Sequence, residues 1–405
     1  MARAGLGPNW ACLFANDIDP KKTGAYSANW GEEPKIVERD VAKLDLAELP
    51  GTADLVWASF PCQDLSLAGL GAGLKGAKSG TFWSFWKLLL GLEQQKRNPA
   101  VVVLENVCGT LTSHQGRDFR SLISAMREGG YQAGALVIDA ALFLPQSRPR
   151  LFVIGVRRDI QIDPTLISAT PRDPFHTPAI VKAYENLSHC DQGNWIWWKL
   201  SPPSVRVKVL SDIVLENPGQ WQSQQQTKAL LRMMSPLNLS KVAAAKKIGR
   251  LMVGTVYKRT RPDEYGVRRQ RAEVRFDEVA GCLRTPGGGS SRQTILLVEG
   301  QNVRSRLLSP REAARLMGVS EKYILPERYN DAYHLMGDGV AVPVVSHIAS
   351  NILEPLLRRY SDSLSDSAIY SSKHHEEEVW RQISSSEEMR SRVSRTRSES
   401  TLFAI

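Results

Sequence analysis

The chain has 405 residues, room for two domains, and its 42% hydrophobic and 23% charged content are those of a water-soluble globular protein. Its opening Met1-Ala-Arg-Ala-Gly lacks the apolar core of a signal peptide, and no uncharged stretch is long enough to span a bilayer, so a cytoplasmic protein away from membranes is expected. Five cysteines, an odd number without a CxxC pair, exclude a disulfide framework and a zinc site, and no metal is expected.

Short β-branched runs alternate with helical stretches through the first part of the chain, the pattern of βαβ units around a parallel sheet. The strands expected are Cys12–Ala15, Ile36–Glu38, Leu55–Ser59, Val101–Glu105, Ala135–Asp139 and Leu151–Val156, with helices at Phe82–Lys96 and Asp118–Arg127. From about Asp159 the periodicity weakens and prolines, tryptophans and glutamines dominate, which reads as a second domain. Order returns at Ser309-Pro310-Arg311-Glu312, a helix start with serine as cap, proline first and glutamate completing a capping box, closed by Gly318. A last apolar helix is expected over Pro343–Leu357, followed by a tail of serines, arginines and glutamates with few large apolar residues.

The formal net charge is +10, and the segment after Tyr360 holds six basic and eight acidic side chains, so the remainder carries +12. Much of the surplus lies between Lys241 and Arg275, in Lys246, Lys247, Arg250, Lys258, Arg259, Arg261, Arg268, Arg269 and Arg271. Such a surplus suits a polyanion, and nucleic acid is the obvious candidate, beside the plainer reading of a solvated basic face.

Two buried-strand patterns each deliver a reactive side chain to a carboxyl end, Pro61-Cys62-Gln63 after Leu55–Ser59 and Glu105-Asn106-Val107 after Val101–Leu104. In open α/β sheets ligands bind at that rim. A thiolate attacks C6 of a pyrimidine only if charge developing on the ring is neutralised, and a carboxylic acid at N3 can do that. The attack turns C5 into an enamine carbon able to take a methyl group from a sulfonium donor. The thiol needs a positive neighbour to ionise usefully, for which Arg148 and Arg150 are candidates, whereas Glu105 must be kept partly protonated by burial.

These residues stand in a longer series of motifs: Asn16-Asp17-Ile18-Asp19-Pro20, Arg39-Asp40-Val41, Phe60-Pro61-Cys62-Gln63, Glu105-Asn106-Val107, Gln146-Ser147-Arg148-Pro149-Arg150, Arg306 to Gly318, and Gly337-Asp338-Gly339-Val340. In this order they resemble the DNA (cytosine-5)-methyltransferases of bacterial restriction–modification systems. The resemblance implies an α/β protein with a Rossmann-like S-adenosylmethionine-dependent methyltransferase sheet and a smaller, irregular target-recognition domain. The divisions it implies are a catalytic domain over 1–158, a recognition domain over 159–334, a helix returning to the catalytic domain over 335–359, and a disordered tail over 360–405. It implies Cys62 as nucleophile on C6 of a flipped-out cytosine, Glu105 at N3, and Arg148 and Arg150 holding the ring. Asp17 would bind the ribose hydroxyls of S-adenosyl-L-methionine, Asp40 the adenine amino group, and Ile18 and Val41 would pack on the ring; Pro61 and Asp338 complete the cofactor set. Asp338 stands where the family usually has asparagine. The implied partners are double-stranded DNA and a cognate restriction endonuclease acting on the same site, with the enzyme a monomer.

Glycines from Gly69 to Gly80, with Lys75 and Lys78, suggest a lid directly after the nucleophile, and Gly287 to Arg292 offer amides and a cation for phosphate. The family's opening strand and its Phe-x-Gly-x-Gly-Gly turn have no counterpart here. That strand would be the central one of the sheet, so its neighbours are expected to lose a hydrogen-bonding partner and the core to be split. A start upstream of Met1 is the favoured expectation, ahead of a truncated, catalytically weak DNA-binding remnant or a strand supplied by another polypeptide.

Overall fold

A computed structural model describes residues 1–32, 34, 36–61, 80–214, 220–262, 265–284 and 292–360. Met1–Leu353 makes one compact unit, and of the chain after it residues 354–360 are described and helical.

The first unit holds twelve described strands: β1 (Ala15–Asp17), β2 (Ile36–Glu38), β3 (Leu55–Ser59), β4 (Val101–Val107), β5 (Tyr131–Asp139), β6 (Pro149–Arg157), β7 (Ile167–Ser168), β8 (Trp197–Trp198), β9 (Met252–Pro262), β10 (Arg268–Arg275), β11 (Thr294–Glu299) and β12 (Asn302–Leu307). The central sheet runs β3-β4-β6-β5. Strand β4 is buried through its first six positions, as the unbroken run Val101–Leu104 leads one to expect for a strand covered on both faces. Helices Gly80–Gln94 and Arg117–Glu128 cover it, burying Phe82, Trp86, Phe119 and Met126 against Val102, Leu104 and Val153.

Only β3 and β4 pair in parallel; β4–β6 and β6–β5 are antiparallel, which corrects the expectation of an all-parallel sheet. The reason is the link from Asp139 to Pro149, too short for the dozen or more residues that a parallel crossover needs. The chain turns back as a hairpin, and the turn carries Gln146-Ser147-Arg148.

The core is divided. Strands β1 and β2 form a two-stranded parallel sheet of their own, and among the described residues β3 pairs with β4 alone. Both β1 and β3 therefore present one edge without a strand partner, the split expected from the sequence. Burial follows: every residue of β1 is half-buried, and β3 runs from half-buried to exposed. Strand β1 also begins at Ala15 rather than Cys12, because its ladder is only as long as the three residues of β2 that face it.

A second sheet, β10-β9-β11-β12, is antiparallel throughout. Helices Gln224–Arg232 and Pro236–Ile248 pack on it through Leu230, Met234, Val242 and Ala245 against Val256, Ala272, Val274 and Leu296. The Ser309 capping box forms as expected, with the hydroxyl accepting from Glu312 N and the Glu312 carboxylate accepting from Ser309 N. Gly318, at φ +72°, follows the helix, and the amides of Gly318 and Val319 close back on Arg315 O and Ala314 O, the Schellman arrangement.

One described stretch, Tyr329–Tyr360, is long and apolar enough to cross a bilayer by length and composition, but it carries Asp331, Asp338, Glu354, Arg358 and Arg359 and so is not the uncharged span looked for in the sequence. Half of its apolar window is buried in the fold, and its helix is interrupted at Gly339–Ala341.

Candidate active site

The candidate rim lies where β3, β4 and β6 meet. Register sets Ser59 opposite Glu105 and Val107 opposite Arg150. The Asn106 amide donates to Phe60 O at 3.1 Å, fastening the segment that leads to Pro61 onto the end of β4. Phe60 is buried and Pro61 exposed; Cys62 and the lid glycines 69–79 lie outside the described residues.

Glu105 is 6% exposed, and its Oε1 stands 3.4 Å from Arg150 Nε. Burial pushes its carboxyl above the ordinary range, opposed by the Arg150 charge, a hydrogen bond from Ser59 and the more distant Arg148. A carboxyl so placed keeps its proton to higher pH than a free one and is still aimed by a cation. Cys108 lies in the same field, but burial raises its thiol, against the pull of Arg150, so it is a poor thiolate.

The two arginines of Gln146–Arg150 divide their work. Arg150 faces Glu105. Arg148 is 2% exposed and donates to Leu283 O at 3.0 Å, Gly337 O at 2.7 Å and Gly339 O at 2.6 Å, so its guanidinium staples three chain segments together instead of presenting itself at the rim. The expectation that both guanidiniums hold a substrate ring therefore finds only Arg150 beside Glu105.

Two further residues build the turn. Asp139, at the end of β5, accepts from the amides of Ala141 (3.0 Å) and Arg148 (2.6 Å) and from the Ser147 hydroxyl (3.3 Å). Gln146, fully buried, donates to Leu316 O at 2.6 Å and accepts from Leu283 N at 3.1 Å. Asp139 is not among the residues expected from the sequence; its signal there is an acid ending a strand one short turn before the arginines. The strap at Ala280–Leu283 is held to the same turn, and Cys282 Sγ accepts from Arg148 at 3.3 Å and from Arg150 at 3.7 Å. Of the expected Gly287–Arg292 phosphate loop only Arg292 is described, its guanidinium 5.2 Å from the Tyr329 ring centre.

A second cluster lies at the carboxyl ends of β1 and β2. Arg39 N donates to Asp17 O, and the Asn16 amide bridges Val37 O and Arg39 O, which keeps the two strand ends side by side. Each end presents an acid followed by an aliphatic residue, Asp17-Ile18 and Asp40-Val41. Turn amides of Asp19 and Ala42 orient the two carboxylates at 2.9 Å each. Ile18 is 64% exposed, an apolar surface left uncovered by the protein itself. Carboxylates for ribose hydroxyls and aliphatic faces for a purine are what a nucleoside requires, so these residues fit the adenosyl half of S-adenosylmethionine. Lys22, in the helix after β1, pairs with Asp338 at 3.1 Å and brings that residue to the same corner.

The profile of the C-5 cytosine-specific DNA methylases matches residues 2–354. The chain belongs to that family. It is accordingly a DNA (cytosine-5)-methyltransferase that uses S-adenosylmethionine. This cytosine methylase is 26% identical over 345 residues to the Type II methyltransferase M1.ScrFI of Lactococcus lactis subsp. cremoris, covering 85% of this chain and 72% of that protein. It is also 26% identical over 348 residues to M.HhaI of Haemophilus parahaemolyticus, covering 84% and 87%. Among solved structures, a DNMT2 mutant of Spodoptera frugiperda superposes with a TM-score of 0.53 at 16% identity, over 87% of this chain and 95% of that one. That likeness supports the methyltransferase fold.

Proposed function

We propose that this methylase flips a cytosine out of duplex DNA and methylates it through a covalent adduct between Cys62 and C6. The observation that carries the reading is Glu105: a carboxyl raised by burial, held against Arg150, on the strand paired with the one leading to Cys62. The thiolate of Cys62 forms the bond to C6 as Glu105 gives its proton to N3, so the ring carries no net negative charge. The electron pair then resides at C5. Bound S-adenosylmethionine would supply the electrophilic methyl group. Water takes the C5 proton as the thiolate is expelled from C6, which completes the exchange, and N3 returns its proton to Glu105. Extrusion is required because C6 is shielded inside a stacked duplex.

In this reading Arg150 orients both Glu105 and the ring carbonyl, and Arg148 is a positioning residue that holds the turn. Asp17, Ile18, Asp40 and Val41 grip the adenosyl group, with Pro61 and Asp338 beside it. Residues 1–158 with 335–359 carry the chemistry, and 159–334, with the second sheet and its own apolar cluster, recognise the site. A cognate endonuclease would act on the same sequence.

Duplex containing 5-fluorocytosine tests the covalent step, because fluorine at C5 cannot leave as a proton. Incubation with S-adenosylmethionine is expected to trap a protein–DNA adduct that peptide mapping places at Cys62. Methylated product without a trappable adduct would sink the covalent proposal. For the cofactor site, Asp17→Asn is expected to raise the Kd for S-adenosylmethionine about 10-fold, the loss of one charge-assisted pair of hydrogen bonds, measured by calorimetry. An unchanged Kd would remove Asp17 from the site.

A further inference from the structure

The strands of the second sheet are unequal. Strand β11 accompanies β9 only from Met252 to Val256, whereas β10 runs beside β9 as far as the Arg268↔Pro262 pair. Beyond Val256 the sheet is therefore, among the described residues, a two-stranded ribbon. Directly opposed residues share a face, and every second position returns to it. One face carries Val256 with Val274 and Lys258 with Ala272, and Val256, Val274 and Ala272 enter the apolar cluster. The other carries Tyr257 with Glu273 and then Arg259 with Arg271, and the register sets Arg261 opposite Arg269 next.

Like charges directly opposed weaken strand pairing. Glu273, half-buried, lies 3.4 Å from Arg259, whose cross-strand neighbour on the same face is Arg271. The ribbon thus sets Arg259 and Arg271 side by side on one face, an arrangement that a polyanion stabilises.

This face is joined to the catalytic rim. The Tyr257 hydroxyl donates to Cys282 O, and Cys282 Sγ sits against Arg148 and Arg150. Gly281 permits the contact, since a Cβ there would fall 2.3 Å from the Tyr257 ring. The Arg259 guanidinium lies 5.9 Å from the centre of that ring, so the first arginine rung begins one step outward from the strap. Two residues advance a strand by about 6.8 Å, nearly the rise of two base pairs of duplex. A two-stranded ribbon fits the major groove, and arginine is the side chain that most often reads guanine there.

We propose that the arginine face of the β9–β10 ribbon enters the major groove beside the target cytosine, and that Arg259 and Arg271 read guanine. The inference rests on the methyl-transfer reading in taking the rim around Glu105 as the place of the target base. Selection of duplexes randomised around one cytosine tests it, comparing the wild-type protein with Arg259→Gln/Arg271→Gln, whose side chains are exposed enough to leave the fold intact. The wild-type pool is expected to enrich guanine at a fixed offset from the cytosine, and the double variant to lose that preference by about 10-fold or more. Replacing that guanine with 7-deazaguanine should weaken wild-type binding and leave the variant indifferent. Identical preferences in the two pools, or none in the wild type, overturn the proposal. A shallower salt dependence with unchanged base preference also overturns it, because the arginines would then touch phosphate alone. Loss of methyl transfer with the guanine preference intact would count against the catalytic reading and not against this one.

Discussion

Methyl transfer by a Glu105→Gln protein is expected to run about 10²–10⁴-fold slower than by wild type, the range for losing a general acid. The amide retains the shape of the carboxyl and can donate a hydrogen bond, but it cannot give N3 a proton. The pH profile separates this role from a structural one. Burial raises the Glu105 carboxyl, so the protonated, competent form persists to higher pH than in a free carboxyl and is lost as pH rises through its pKa. Wild-type kcat should therefore carry a falling limb that the glutamine variant lacks. Arg150, 3.4 Å away, pulls that pKa down, so Arg150→Met should move the limb to higher pH. A glutamine variant with an unchanged profile and rate would remove Glu105 from the chemistry.

The second large effect is on stability. Arg306 and Glu312 are 1% and 0% exposed, and the guanidinium meets the carboxylate twice, at 2.6 and 2.7 Å. Glu312 also accepts from the Ser309 amide and so caps the helix Pro310–Leu316, whose last residues receive the Gln146 side chain. Arg306→Met leaves a buried carboxylate without its cation and should cost about 3–5 kcal/mol in denaturant unfolding. Arg306→Met/Glu312→Leu should cost less than that single change, because removing both charges abolishes the desolvation penalty. Equal losses in the single and double variants would show that shape, and not charge, sets the cost.

Much of the rim was legible because its signals are local. Ile36–Glu38 and Leu55–Ser59 form the strands expected at those residues, and the run Val101–Leu104 could only be a strand covered on both faces. The Ser309–Glu312 box needs four residues and formed as read. Antiparallel β6 was missed because strand direction depends on the length of the connection rather than on the composition of the strand. The second sheet was hidden for another reason. In β10 the inward residues Ala272 and Val274 alternate with Arg271, Glu273 and Arg275, and in β9 Val256 is followed two residues on by Lys258 on the same face, so no continuous apolar run marks the ribbon although the two-residue period is present. The separate duties of Arg148 and Arg150 follow from Gly337, Gly339 and Leu283, remote in sequence, and no local pattern announces them.

The division between β1–β2 and β3-β4-β6-β5 sets an order of failure. A ladder three residues long, open along one side, frays far more cheaply than strands buried in the middle of a sheet. The β1–β2 corner is therefore expected to open before the strands around Glu105 do. Exposed backbone along β1 and β3 is also a template on which extended chain from a neighbouring molecule can add.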